Sequence, residues 1–268
     1  PVDNFINGNA TVVNKKANSG ISFFASNRKR DAYDANGDGF SELPKLSNNS
    51  FGFNSFIDID HRNKIEINGW SIHEERRGGN KIEEQADKAE QSEYSLHNIL
   101  LGGINYEHTS KNEKATISLY CSGQNTSRKH YTGIDYIDAW GRTKNYSLQG
   151  GLQFNYKMEQ FFLGENMLTV GAENQYEYTN DEIKAYNYLI DQKVNLFGVF
   201  AQSEWKLYPK LTLLSGVRLN KSNRIDKLMF TPRLNILYAI SKNMQIRGSY
   251  ARGFKAPQAL ETDMHIAF

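Results

Sequence analysis

From Tyr146 to Lys157 apolar and polar residues alternate one for one. Tyr146, Leu148, Gly150, Leu152, Phe154 and Tyr156 fall on one side of an extended chain, and Ser147, Gln149, Gly151, Gln153, Asn155 and Lys157 on the other. The same period of two sets Leu211, Leu213, Val217 and Leu219 against Thr212, Gly216, Arg218 and Asn220, and Phe230, Leu234, Ile236, Tyr238 and Ile240 against Thr231, Arg233 and Asn235. Followed along the chain, the pattern predicts about twelve strands, near 5–15, 20–30, 51–60, 64–76, 93–108, 114–127, 144–157, 166–178, 191–207, 210–221, 228–240 and 244–252. Many exceed the ordinary strand length of about five or six residues and match the ~9 to 11 that cross a bilayer at a tilt.

The connections alternate as well. Short turns are expected at 17–20, 61–63, 110–113, 208–210 and 241–243, rich in Asn, Lys, Ser and Pro, and longer segments at 31–50, 77–92, 128–143 and 179–190. Short turns at one end and long loops at the other are what an up-and-down membrane barrel produces, the long loops outside. Met158–Asn166 is long for a short turn, and Ser222–Lys227 brief for an outer loop. Lys81–Ser92 has good helix formers but no apolar stripe and reads as a solvated loop. A soluble half-solvated sheet would alternate in the same way. Aromatic residues at strand ends, Tyr146, Tyr156, Tyr178, Trp205, Tyr208 and Tyr250, favour the barrel, where they would form interfacial girdles.

Composition changes this picture little. Lys+Arg 32 against Asp+Glu 30 leaves no basic excess for nucleic acid. No run of ~18 apolar residues is present for a membrane helix, and a negative mean hydropathy suits a barrel that hides its apolar residues at every second position. Cys121 is the single cysteine, so disulfides within the chain and thiol redox pairs are excluded. The six histidines are scattered, without an H-E-x-x-H or G-x-S-x-G pattern, and no phosphate loop occurs, so no enzyme is expected. Pro1 opens the chain without an export signal, which leaves a processed product and a fragment both open.

Two blocks carry a resemblance. Ser249, Tyr250, Ala251, Arg252, Gly253, Phe254, Lys255, Ala256, Pro257, Gln258 and Ala259 follow S-Y-x-x-G-F-R/K-A-P-Q-A and lead into Glu261, Asp263 and His265. Upstream, Arg28, Lys29, Arg30 and Asp31 are followed by Asp34 to Pro44 and by His73, Glu74, Glu75, Arg76, Arg77, Gly78 and Gly79. In this order the chain resembles the TonB-dependent outer-membrane receptors. The resemblance implies a Gram-negative outer-membrane barrel importing a scarce, bulky ligand of the ferric siderophore or cobalamin class. Its partners would be the outer-membrane lipid and a TonB complex acting through a plug domain not found in this stretch. Since such barrels have roughly 22 strands, residues 1–268 are expected to be one all-β domain, an antiparallel up-and-down transmembrane β-barrel portion that is incomplete and open. A passive pore and a soluble calcium-dependent β-sheet binding protein are the alternatives.

Within this reading His73, Glu74, Arg76, Arg77, Arg252, Lys255 and Gln258 are candidates for contact with ligand or plug, the first four, with Glu75, also readable as a charge network in the barrel mouth. Asp34, Asn36, Asp38 and Glu42 set oxygen donors at alternate positions around Gly39, a candidate calcium loop. The twelfth loop position holds Lys45 where an EF-hand has Glu, so an Asx-rich turn needing no metal is the competing reading. No cofactor is required.

Overall fold

The computed structural model describes residues 2–162 and 164–255. They form one twelve-stranded antiparallel sheet in strict chain order. The strands are β1 (Asp3–Val13), β2 (Ser19–Arg30), β3 (Ser41–Asp60), β4 (Asn63–Gly79), β5 (Gln91–Thr109), β6 (Ala115–Ile134), β7 (Trp140–Phe161), β8 (Gly164–Ile183), β9 (Tyr188–Tyr208), β10 (Leu211–Ser222), β11 (Ile225–Ser241) and β12 (Met244–Ala251). The sheet is open, with β1 and β12 as its edges. Among the described residues no helix is long and apolar enough to cross a membrane, which is no argument against crossing by strands.

Register explains the alternation. Ile57, Ile65, Tyr106, Leu119, Leu152, Ala172, Val199, Leu219 and Phe230 are successive partners in one row from β3 to β11. The flanking positions carry Leu148, Phe197, Val217 and Ile236 on the same face, and many of these side chains are about half exposed, Leu119 at 54% and Leu152 at 49%. An unbroken apolar row this wide has no place on a water-soluble surface; on a barrel wall it is the lipid belt. The opposite face of the same strands carries Gln149, Gln153, Asn155, Arg218 and Arg233. Aromatic residues close the belt at both ends. Tyr146 stacks on Tyr178 at the long-connection end (centroids 6.2 Å apart). Trp205 stacks on Phe161 near the short-turn end (5.4 Å), and its indole N–H donates to the Phe161 carbonyl oxygen.

The long connections are shorter than the sequence suggests. Residues 41–50, 77–79, 128–134, 140–143, 179–183 and 188–190 continue the strands, so that β7 reaches 22 residues, and a strand of that length extends ~70 Å at 3.2–3.4 Å per residue. That exceeds the ~25 Å apolar band even with tilt, so the strands run on beyond the membrane. There both faces meet water and the hydrophobic alternation fades, although the backbone ladder continues. Met158–Asn166 is likewise no loop: β7 and β8 close at Phe161 and Gly164 after a register shift. Lys81–Ser92 holds one 3-10 turn, Ala86–Lys88. At this end Ala86, Tyr131, Ala139 and Ile183 form a small core beyond the girdle, with Trp140 and Tyr94 against it.

Candidate functional site

At the long-connection end the belt-opposed face carries a second row. Arg28, Asn48, Glu74, His97, Arg128, Thr143 and Asp181 are register partners across β2 to β8. Each comes from a different strand, and antiparallel pairing alone brings them into line. Asp3 receives two hydrogen bonds from the Arg28 guanidinium, at 3.0 and 2.7 Å. The Asn48 amide donates to Glu74 (2.8 Å), and Glu74 also pairs with Arg76 Nε at 2.7 Å. At the other end of the row Asp181 is buried. It accepts from Thr143 Oγ1 (2.7 Å), meets His130 Nε2 at 2.9 Å and pairs with Arg128 at 3.4 Å. Gly141 permits this, because a Cβ there would lie 2.3 Å from the His130 ring.

Between these two satisfied ends stand His97 and the outward half of Arg128. Neither is held by a carboxylate as closely as Arg28 is. The row therefore mixes acids and bases fixed by their partners, Arg128 by Thr143 and Asp181, with the His97 imidazole between them.

Lower on the same face a second cluster forms. Glu173 accepts from Tyr120 Oη (2.9 Å) and pairs with Arg218, whose Nε donates to Asn220 Oδ1 at 2.7 Å and whose guanidinium lies 5.7 Å from the Phe200 ring centroid. Gly198 makes room, because a Cβ there would lie 2.4 Å from the Arg218 guanidinium. Arg233 and Arg252 join this cluster around a cavity of about 380 Å³. Three arginines thus surround one glutamate: Arg218 is half-buried and paired with Glu173, and Arg233 and Arg252 are exposed to the cavity.

The residues singled out in the sequence are divided by the pleat. Glu74 and Arg76 lie on the belt-opposed face and belong to the first row. His73 and Arg77, at odd positions of β4, lie on the other face: His73 Nδ1 meets Asn98 (2.6 Å), and buried Arg77 donates to the carbonyl oxygens of Gly78, Asn80 and Lys81. The four therefore do not form a single charge network, since successive strand side chains point to opposite faces. Gly79, at φ 99°, has its α-carbon so near β5 that a Cβ would lie 2.1 Å from the Gln91 carbonyl oxygen. Arg252 reaches the second cluster, Lys255 lies just past β12, and Gln258 is outside the described residues. The row members Arg28, His97, Arg128, Thr143 and Asp181 escaped the sequence reading. Their signal, polar residues of one parity near the long-connection ends of successive strands, emerges only once register is known.

The loop 31–40 is closed by its own backbone. Asp34 accepts from the N–H groups of Gly37 (2.6 Å) and Gly39 (2.8 Å), Asp38 from that of Phe40 (2.8 Å), and Glu42 from that of Ala35 (2.7 Å). Gly37 and Gly39 supply the positive φ, 78° and 87°. The Gly39 N–H foremost, then that of Gly37, holds the Asp34 carboxyl below the ordinary aspartate value. Among the described residues no three His, Cys, Asp or Glu side chains converge as a metal site.

Residues 12–265 match the family model for the TonB dependent receptor-like β-barrel. No curated protein sequence matches the chain. Among solved structures it is similar to the siderophore receptor PirA of Pseudomonas aeruginosa (18% identity, TM-score 0.72, 96% of this chain and 40% of that one). It is similar also to a mutant of the ferric enterobactin receptor PfeA of the same species (12%, 0.78, 96% and 42%) and to the alcaligin outer-membrane receptor FauA of Bordetella pertussis (11%, 0.72, 92% and 41%). At these identities the likeness is one of fold, and the chain spans less than half the length of each. With the family model covering nearly the whole of it, the chain belongs to the TonB-dependent receptor β-barrel family.

Proposed function

We propose that this chain is wall of a receptor that takes up a ferric siderophore by TonB-coupled transport, binding it at the long-connection end. Barrels of this family lie in the Gram-negative outer membrane. The observation that carries the reading is the polar row from Arg28 to Asp181 on the lumen face, beyond the apolar belt and at the end where an up-and-down barrel places its outer loops. Carboxylates hold Arg28 and Arg128 in place, so the guanidinium N–H groups of Arg128 left by Thr143 and Asp181, together with His97, are oriented donors for an anionic chelate. The siderophore class, rather than cobalamin, is supported by the names of the similar solved structures. Arg218, Arg233 and Arg252, deeper in the lumen, suit contact with an acidic surface of a plug through which TonB would act. No catalytic step belongs to this reading.

Binding by the purified parent receptor tests it. Ferric siderophores should quench its tryptophan fluorescence saturably, and cobalamin should not. Arg128→Ala should weaken siderophore binding by roughly ten-fold or more, the loss of a charge-assisted hydrogen bond, while Lys15→Ala in the opposite turn leaves it unchanged. Saturable binding of cobalamin alone would refute the siderophore assignment.

A further inference from the structure

His97 stands in the middle of the polar row, with Glu74 opposite it on β4 and Arg128 opposite it on β6. On β5 Leu100 is level with Tyr146 of the aromatic rim through Asn125, so His97 lies roughly 10 Å beyond that rim at ~3.4 Å per residue. Here the strands have left the membrane, and the imidazole is half-buried on the lumen face. Every other member of the row is hydrogen-bonded or ion-paired. Among the described residues His97 has neither kind of partner.

The charged groups that face it are already engaged. From β4 come Glu74, which pairs with Arg76 Nε at 2.7 Å and accepts from the Asn48 amide at 2.8 Å, and Arg76 itself. From β6 come Arg128, whose Nε donates to Thr143 Oγ1 at 3.0 Å, and His130, which meets Asp181 at 2.9 Å. On β5 the same-face neighbours Ser95 and Ile99 carry no charge. Two guanidinium groups thus flank the imidazole, with one carboxylate that Arg76 and Asn48 already hold. Burial foremost, then the Arg128 guanidinium, keeps His97 below the ordinary histidine value, so it is neutral at pH 7. A proton added there has no free carboxylate beside it among the described residues. The new charge is open to the lumen, where a bound anion would meet it.

We propose that His97 is a ligand-contact residue whose protonation tightens the row's hold on an anionic ferric chelate, so that capture strengthens as the external medium turns acid. The inference rests on the siderophore reading of this site and adds to it the charge class of the ligand and the pH at which it is held best. The coupling is reciprocal: an anion that prefers the protonated imidazole raises the pH at which that proton is taken up. In the free receptor uptake occurs below the ordinary value of about 6.5, and with the anion bound it occurs at higher pH. Affinity is therefore flat above the bound-state value, rises as pH falls between the two values, and is flat again below the free-state one. A neutral chelate gains little from the added charge and should show no such rise.

The test uses the full-length parent receptor in micelles and two probes, a ferric tris-catecholate, which carries net negative charge, and a ferric tris-hydroxamate, which is neutral. Titration calorimetry at about pH 7.5 and about pH 5.5, in buffers of different ionisation enthalpy, reads both affinity and proton uptake. The tris-catecholate should bind roughly tenfold more tightly at the lower pH, the gain of a charge-assisted hydrogen bond, and should take up protons as it binds. H97Q should lose both the rise and the uptake. H97K, charged at either pH, should bind at the higher pH as wild type does at the lower. H61Q, in the turn at the opposite end of the barrel, should behave as wild type, and heat-modifiable migration confirms that each variant folds. Protonation of the chelate itself is common to all of these receptors, so their differences isolate His97. A rise of the same size in H97Q, or none in a wild type that binds the probe, overturns the inference and leaves the siderophore reading standing, as does binding of the neutral chelate alone. Binding of neither probe at either pH overturns both.

Discussion

Phe24 and Trp70, on strands that are not neighbours, meet across the bare backbone of Gly52 with ring centroids 3.9 Å apart. All three are register partners on the lumen face of β2, β3 and β4. A Cβ at Gly52 would lie 2.3 Å from the Phe24 ring and 2.9 Å from that of Trp70. Aromatic rings covering a strand glycine are a known way of fixing register. Gly52→Val should therefore cost about 1 to 3 kcal/mol by overpacking, read as a lower urea midpoint for the parent receptor in lipid vesicles. Gly8→Val, where nothing lies within 4 Å of the added Cβ, should be near neutral. Equal effects at the two glycines would count against the ring contact.

The faces of β7 make a paired prediction. Leu152 sits in the apolar row and Gln153 lines the lumen cavity. Leu152→Arg near mid-membrane should cost ~2 to 4 kcal/mol, whereas Gln153→Arg should be mild. Matched unfolding titrations in vesicles compare them, and similar costs would mean the faces are wrongly assigned.

Topology is tested by labelling intact cells that express the parent receptor with an impermeant thiol reagent. Ala35→Cys, in the connection between β2 and β3, should react. Lys111→Cys, in the turn between β5 and β6, should not, because successive connections of an up-and-down sheet emerge on opposite sides. Labelling of the Lys111 site alone would invert the barrel.

The Asp34 turn gives a pH dependence. Its carboxyl is held below the ordinary aspartate value by the Gly39 and Gly37 N–H groups, so the ionised form is favoured by the ordered turn. That contribution is fully present above the ordinary aspartate value and is lost as pH falls through the lower value in the folded state. Amide protection of Gly37 and Gly39 should hold at pH 7 and pH 5 and vanish in stronger acid, and Asp34→Ala should abolish it at every pH. A turn held by its own N–H groups orders without a metal, so on the Asx-turn reading calcium should add no protection and no heat in a titration. Protection that appears only with calcium would favour the calcium loop over the Asx-rich turn.

Strand order, the two faces and the short turns were legible in the sequence because lipid imposes an apolar residue at every second position, as from Leu148 to Phe154. Where the strands leave the membrane that constraint ends. Glu42–Asn49 and Arg128–Ile134 read as loop because their few apolar residues, such as Leu46 and Tyr131, do not recur at every second position, although hydrogen bonding in the ladder continues through them. The charged row was hidden for another reason. Arg28, Glu74, Arg128 and Asp181 are far apart in the chain, and only hairpin register, accumulated strand by strand, brings them into one line. His73 and Arg77 were grouped with Glu74 and Arg76 by proximity in sequence, which the pleat overrules.

Transport is the property most directly open to measurement. Cells lacking their own siderophore receptors, supplied with the parent receptor, should accumulate radiolabelled iron from a ferric siderophore when TonB is present and should stop when TonB is deleted. Glu74→Gln with Arg128→Ala in the polar row should reduce that accumulation at limiting siderophore without altering the amount of receptor in the membrane. Iron accumulation that persists without TonB, or a receptor that passes small solutes freely and no ferric siderophore, would contradict the account.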